Sequence, residues 1–191
     1  MEVSLASTGY SVRNELGQFV PLQPRLEPSE ELAYVIGVIL GDGYLEKYYD
    51  KKSSGYCYTV RLEVIDEDFA RRRRGKTLYC VKARSAMLYK WLKSLNLEKI
   101  GAMLQSERMK AAFLRGFFDS EGSISSSGGR RFIDFYNKNK ELMVFIEHLL
   151  EELNIDTYNL YENKVCWVLR VNPKSHRIFL STIKPTFKEA D

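Results

Sequence analysis

Two carboxylates stand at matching places in the chain. Asp42 closes the apolar stretch YVIGVILGDGYL (34–45), and Glu121 closes AAFLRGFFDSEGSI (111–124). Laid on one another, Gly37 falls on Gly116, Gly41 on Ser120, Asp42 on Glu121 and Gly43 on Gly122, at a constant offset of 79 residues. An acid at the carboxyl end of a helix sits where the dipole favours cations. Two such acids placed together repel each other further. A divalent cation resolves both problems, taking oxygen ligands from the carboxylates and from the last free backbone carbonyls. Phosphoryl transfer is the chemistry that wants divalent ions on paired carboxylates, because a metal activates water and supports the leaving oxygen.

The acids need elements to hold them. Gly37 and Gly41 share one helical face, as do Gly116 and Ser120, and small residues there let two helix backbones approach closely. Each motif helix is therefore expected to pack on the other through these four residues, with Asp42 and Glu121 side by side at the base. Gly43 and Gly122 are expected in the left-handed conformation that ends many helices. Ser29 is expected to cap the first motif helix, with Glu30 and Glu31 in its first turn.

The segments after the two motifs also repeat. Both copies continue as strand, polar turn and strand, then a second strand region, a basic or Pro-containing turn and an amphipathic helix. The pattern predicts a mixed α/β fold of the α+β kind, made of two pseudo-symmetric αββαββα repeats. These occupy 30–95 and 108–187, after an extended arm (1–29), with a bridge at 96–107 and a tail at 188–191. The first repeat is shorter. Tyr79 follows Asp68 by 11 positions, where Trp167 follows Asn139 by 28. It is thus expected to lack the helix that KELMVFIEHLLEELNI supplies in the second.

Composition narrows the class. The 191 residues are 45% hydrophobic, which suits a globular chain, and 29 Lys and Arg against 25 Asp and Glu give a net charge of +4. A mild basic balance permits nucleic-acid binding. Cys57, Cys80 and Cys166 are scattered, with no zinc spacing and an odd count that fits a reducing compartment. The apolar run LAYVIGVIL is too short to cross a bilayer, and the amino terminus lacks a basic segment followed by an apolar one. The expected location is intracellular, in prokaryotic cytoplasm or an organelle, with no membrane partner. His148 and His176 fit no triad, and Trp91 and Phe179 fall at helical core positions.

VIGVILGDG and LRGFFDSEG resemble the motif of the LAGLIDADG homing endonucleases, and the likeness extends over about residues 30–187. The resemblance implies a monomer with two motif helices at an internal pseudo-twofold axis and two saddle-shaped antiparallel sheets in the DNA major groove. It implies site-specific double-strand cleavage at a long asymmetric site, leaving short 3′ overhangs and using Mg²⁺ or Mn²⁺. By motif position Asp42 and Glu121 are the metal-binding catalytic acids, and the carbonyls of Gly41 and Ser120 are further ligands. The family also places Gln or Lys near the scissile phosphates. Asp66, Asn137 and Lys138 lie in the matching region, without an assigned role.

Strand alternation nominates the DNA-facing side chains. In YTVRLEV it turns Thr59, Arg61 and Glu63 outward. In KVCWVLRV it turns Val165, Trp167, Leu169 and Val171 inward and Lys164, Cys166, Val168 and Arg170 outward, with Lys82 matching Arg170. Lys47, Lys51, Lys52, Arg130 and Arg131 are placed at strand ends or turns, and Arg84, Asp134 and Lys138 complete the candidate surface. RRRRGK (71–76) is a phosphate-contacting or solvated run. Two other readings share the scaffold. An RNA-binding intron-splicing maturase would not need both acids, and a DNA-binding regulator would need an appended domain.

Overall fold

The computed structural model describes residues 26–52, 54–65 and 78–186, and three short strands of the amino-terminal arm. Those strands, β1 (Val3–Ala6), β2 (Gly9–Arg13) and β3 (Phe19–Val20), pair as an antiparallel meander where only an extended arm was expected. The expected absence of a helix from the first repeat, and the run at 71–76, fall outside the described residues.

Helix α1 (Glu30–Asp42) starts where its sequence says it should. Ser29 Oγ accepts the Leu32 N–H at 3.1 Å, and Glu30 and Glu31 occupy the positive end of the dipole. Strands β4 (Gly43–Asp50), β5 (Gly55–Ile65) and β6 (Leu78–Arg84) come next, forming an antiparallel sheet in that order. Helix α2 (Ala86–Ser94) covers one face of it, packing Tyr89 and Leu92 on Val60. The bridge between the repeats holds a helix of its own, α3 (Leu97–Met103), capped by Asn96 and buried through Ile100 and Leu104. Its seven residues are too few to announce themselves by periodicity.

The second repeat has the expected order. Helix α4 (Glu107–Glu121) leads into β7 (Gly122–Ser127) and β8 (Arg130–Asn137), then α5 (Lys140–Glu152), β9 (Tyr161–Asn163), β10 (Cys166–Arg170), a short 3₁₀ turn (Pro173–Ser175) and α6 (His176–Ile183). Its antiparallel sheet runs β7-β8-β10-β9. Phe118, Phe135 and Phe179 meet there with ring centroids 4.9–5.9 Å apart at steep angles, the edge-to-face arrangement aromatic quadrupoles favour. Trp91 packs against the clusters of both repeats.

The two sheets are also related register for register. Gly43 pairs with Leu62 as Gly122 pairs with Phe135, and Arg61 pairs with Lys82 as Asp134 pairs with Arg170.

The halves meet through α1 and α4, and the contact is reciprocal. A Cβ on Gly37 would strike the Phe113 carbonyl oxygen and lie 2.8 Å from the Phe117 nitrogen. A Cβ on Gly116 would strike the Tyr34 carbonyl oxygen and lie 3.1 Å from the Val38 nitrogen. Tyr34 and Val38 stand in the first repeat where Phe113 and Phe117 stand in the second. Each glycine thus admits the other helix's backbone, as a twofold axis between the helices requires. Tyr34 adds a tie, donating to Asp119 Oδ2 at 3.0 Å under the Arg115 guanidinium.

The glycines that end the motif helices are not left-handed. Gly43 (φ −77°) and Gly122 (φ −101°) are extended, because each begins a strand directly. Glycine is required there for space. A Cβ would meet the Ile39 backbone at Gly43 and the Phe118 ring at Gly122.

Among the described residues no helix is long and apolar enough to cross a membrane. Because backbone atoms face Gly37, its neighbours cannot yield by changing rotamer. Gly37→Ala should cost ~1–3 kcal/mol of overpacking, despite the roughly 0.5–1 kcal/mol gained by replacing a helical glycine. Denaturant unfolding of the two chains measures the difference.

Candidate active site

Asp42 and Glu121 are each the last residue of a motif helix and each is followed at once by a strand. The helix crossing brings them together. A Cβ on Gly41 would fall against Ser120 Oγ and 2.8 Å from Glu121 Cγ. Ser120 Oγ is itself held by donating toward the carbonyls of Gly116 and Phe117.

The electrostatics bear the mark of this juxtaposition. Partial burial lifts the Asp42 carboxyl above its ordinary value. Glu121 is lifted first by burial and then by the Asp42 charge, against a hydrogen bond from Asn137 that lowers it. Asn137 Nδ2 donates to Glu121 Oε1 at 3.2 Å. Among the described residues neither acid has an ion-pair partner.

The last capping bonds run from Gly43 N–H to the Ile39 carbonyl and from Gly122 N–H to the Phe118 carbonyl. The carbonyls of Gly41 and Ser120 lie beyond them, among those a helix end leaves without helical partners. The donor set is all oxygen, which suits a hard cation such as Mg²⁺. Among the described residues no group of three or more His, Cys, Asp or Glu is gathered to enclose a metal. A cation here would therefore draw on backbone carbonyls, water or substrate oxygens.

Two residues in this neighbourhood had no assigned role in the sequence. Asn137 is one. Asp119 is the other, and it accepts from the Tyr34 hydroxyl, from the Thr186 N–H at 2.8 Å and from the Thr186 hydroxyl. It pins α1 and the segment after α6 to α4. Its counterpart in the first repeat is Leu40, so the repeat comparison gave no signal for it.

The open sheet faces, turned away from the helices, carry most of the nominated contacts. Lys82 and Arg84 are exposed there, and half-buried Arg61 stands between Tyr44 and Lys82 in register. Lys51 and Lys52 occupy the exposed β4–β5 turn, Arg130 and Arg131 the exposed start of β8, and Lys138 the exposed segment after it. Glu63 lies in β5 opposite Cys80.

Several expectations need correction. Lys47 is in the middle of β4 and shares the helix-side face with Leu45, its ammonium 4.3 Å from the Tyr56 ring centroid and 5.6 Å from that of Tyr58. Thr59 turns to the open face but is fully buried, flanked in register by Glu46 and Arg84. Lys164 and Val165 form the β9–β10 turn, so Val165 is 73% exposed and not in the core. Val168 faces outward yet is buried, with Tyr136 and Tyr161 beside it in register. Asp134 is buried at 2% exposure and committed to Arg170, its Oδ1 2.7 Å from Nε and its Oδ2 2.8 Å from Nη2.

Twin helices crossing through glycines, each ending in an acid and each feeding an antiparallel sheet, define the LAGLIDADG fold. Residues 108–184 match the family model described as a LAGLIDADG-like domain, and the second half of the chain is such a domain. A structure of the homing endonuclease I-DmoI in complex with DNA and Mn superposes with a TM-score of 0.63 at 23% identity, covering 82% of this chain and 97% of that one. The N-terminal LAGLIDADG domain of DUF199/WhiA superposes with a TM-score of 0.56 at 14% identity, covering 83% of each chain. The uncharacterized protein MJ0314 of Methanocaldococcus jannaschii is 32% identical over 164 residues, which are 73% of this chain and 60% of that relative. The chain thus spans about three-fifths of that relative's length.

Both acids hold their protons to higher pH in the folded chain than in the unfolded one. The folded state therefore binds more protons across that window, and stability falls as pH rises through it. Below the unfolded carboxylate range the penalty vanishes. Without divalent cations, Asp42→Asn should be at least as stable as the wild type at neutral pH, with the gap closing toward about pH 4. Added Mg²⁺ should raise the wild-type Tm and leave that of the variant nearly unchanged. Thermal unfolding across pH, with and without Mg²⁺, reads both effects.

Proposed function

We propose that this chain is a site-specific DNA endonuclease. It would hydrolyse both strands of a long asymmetric duplex site with a divalent cation, leaving short 3′ overhangs. One observation carries the reading: two acids without ion-pair partners among the described residues converge at the ends of twin helices, each raised by burial and one also by the other's charge. The fold alone would not carry it, since one fold hosts many functions. I-DmoI, whose structures hold DNA with Mn, Mg or Ca, supplies a precedent for this architecture on a duplex.

Asp42 and Glu121 would hold the cation, with the Gly41 and Ser120 carbonyls as further oxygen donors. When bound, it supplies Lewis-acid polarisation of the phosphodiester and a lowered pKa for water. The chain's own contribution is placement. The helix crossing fixes the separation of the acids, and Asn137 keeps one Glu121 oxygen oriented. Arg61, Lys82, Arg84 and Arg130 on the open faces favour the phosphate-rich backbone.

The test incubates the chain with a library of long random duplexes, with and without Mg²⁺, and sequences the ends. Cleavage should require Mg²⁺ and a defined site. Asp42→Asn and Glu121→Gln should abolish cutting while retaining duplex binding, and Asn137→Ala should slow it by about 10–100-fold, as expected for an orienting partner of a metal ligand. Normal cutting by both acid variants would refute the assignment.

A further inference from the structure

The two open sheet faces are built on the same register but carry different chemistry at one matched place. In the first sheet Arg61 stands opposite Lys82, cation beside cation. In the second the same place holds Asp134 opposite Arg170, and there the arginine is fixed. Asp134 grips its Nε and Nη2 at 2.7 and 2.8 Å. The Phe132 ring lies 4.4 Å from the guanidinium carbon. The Tyr136 hydroxyl donates to Asp134 Oδ2 at 3.2 Å and holds the acid in turn.

A guanidinium has two bidentate edges. Asp134 occupies the Nε/Nη2 edge, which leaves the Nη1/Nη2 edge for another partner. The Arg170 side chain is 33% exposed and lines an open cleft with Arg130, Phe132 and Tyr161, so the protein does not close it off. Two parallel N–H donors match the O6 and N7 acceptors that guanine shows in the major groove. A solvated arginine must give up rotamer freedom to make that contact, whereas here the salt bridge and the ring have already removed it.

We propose that Arg170 is a specificity-determining residue that reads one guanine through its Nη1/Nη2 edge, with Asp134 as its positioning residue and not itself a base contact. The inference rests on duplex DNA being the substrate. It makes the two halves of the site unequal, the second repeat fixing a base where the matched place in the first repeat sets Arg61 opposite Lys82.

The experiment selects duplexes from a random library with the full chain in EDTA, so that binding is read without cleavage. The wild type should enrich a sequence with one invariant guanine whose preference depends on Arg170. Arg170→Lys keeps the charge but loses the fork, and should lower preference at that position about five- to a hundredfold while leaving the others intact. Asp134→Asn should relax the same position. Lys82→Gln should weaken all sequences alike and reduce the salt slope by about one. Replacing that guanine by 7-deazaguanine removes N7 without touching the protein, and should weaken wild-type binding about tenfold or more, whether or not the variants fold. An unchanged profile for Arg170→Lys, an even loss at every position, or indifference to 7-deazaguanine would overturn this inference alone. Failure of the wild type to enrich any sequence would overturn the endonuclease reading with it.

Discussion

The structure turns on the approach of two helix backbones. Gly37 meets the Phe113 carbonyl and Gly116 meets the Tyr34 carbonyl, so α1 and α4 touch main chain to main chain over their middle turns. A helix crossing cushioned by side chains can slide by changing rotamers. One seated on carbonyl oxygens has no such freedom, because close-packed backbone transmits displacement instead of absorbing it. The separation of the two helix ends, and of what they carry, is set by that contact. Asp119, accepting from Tyr34 and from Thr186, reinforces it from the side of α4.

What the helix ends carry is unfavourable by itself. Asp42 and Glu121 lie at the negative pole of their helices, and neither motif helix has a basic residue in its last turn. Protein stability would be served by lysine or glycine there. The chain instead places two acids where neither dipole nor neighbour welcomes them, and orients one with Asn137. Local destabilisation at a point the surrounding core makes rigid is characteristic of a functional site. The fully buried phenylalanines around α4 offset it.

Much of this was legible in the sequence because it repeats. A glycine, a small residue, an acid and a glycine at a 79-residue offset sufficed to place the crossing and the acids. Ser29 announced the helix start, and the 3.6 period of Leu142, Ile146, Leu149 and Leu150 announced α5. Features outside the repeat were not legible. Asp119 stands where the first half has Leu40, and α3 is about two capped turns between the halves. Gly43 and Gly122 were misread for a physical reason: glycine at a helix end usually supplies a left-handed residue, but here it supplies room for a strand folding straight back. Alternation turned Thr59 and Val168 to the open face, where they lie. It could not tell that their neighbours would bury them, since burial on an open sheet depends on the size of the flanking side chains. Lys47 was lost to an error of element bounds, because β4 runs through it and the turn begins at Lys51.

The crossing is twofold in shape but not in composition. Where the first helix has Gly41 the second has Ser120, and the serine hydroxyl fills the space the missing Cβ leaves. Two helices of the second kind would bring hydroxyl against hydroxyl at that level, and two of the first kind would leave a void. The joint therefore discriminates between self and other at the scale of one side chain. It favours the pairing of unlike halves over the homotypic association that a symmetric interface would also permit. Within one chain the two halves need not match, and at this level they do not: glycine on one helix meets serine on the other.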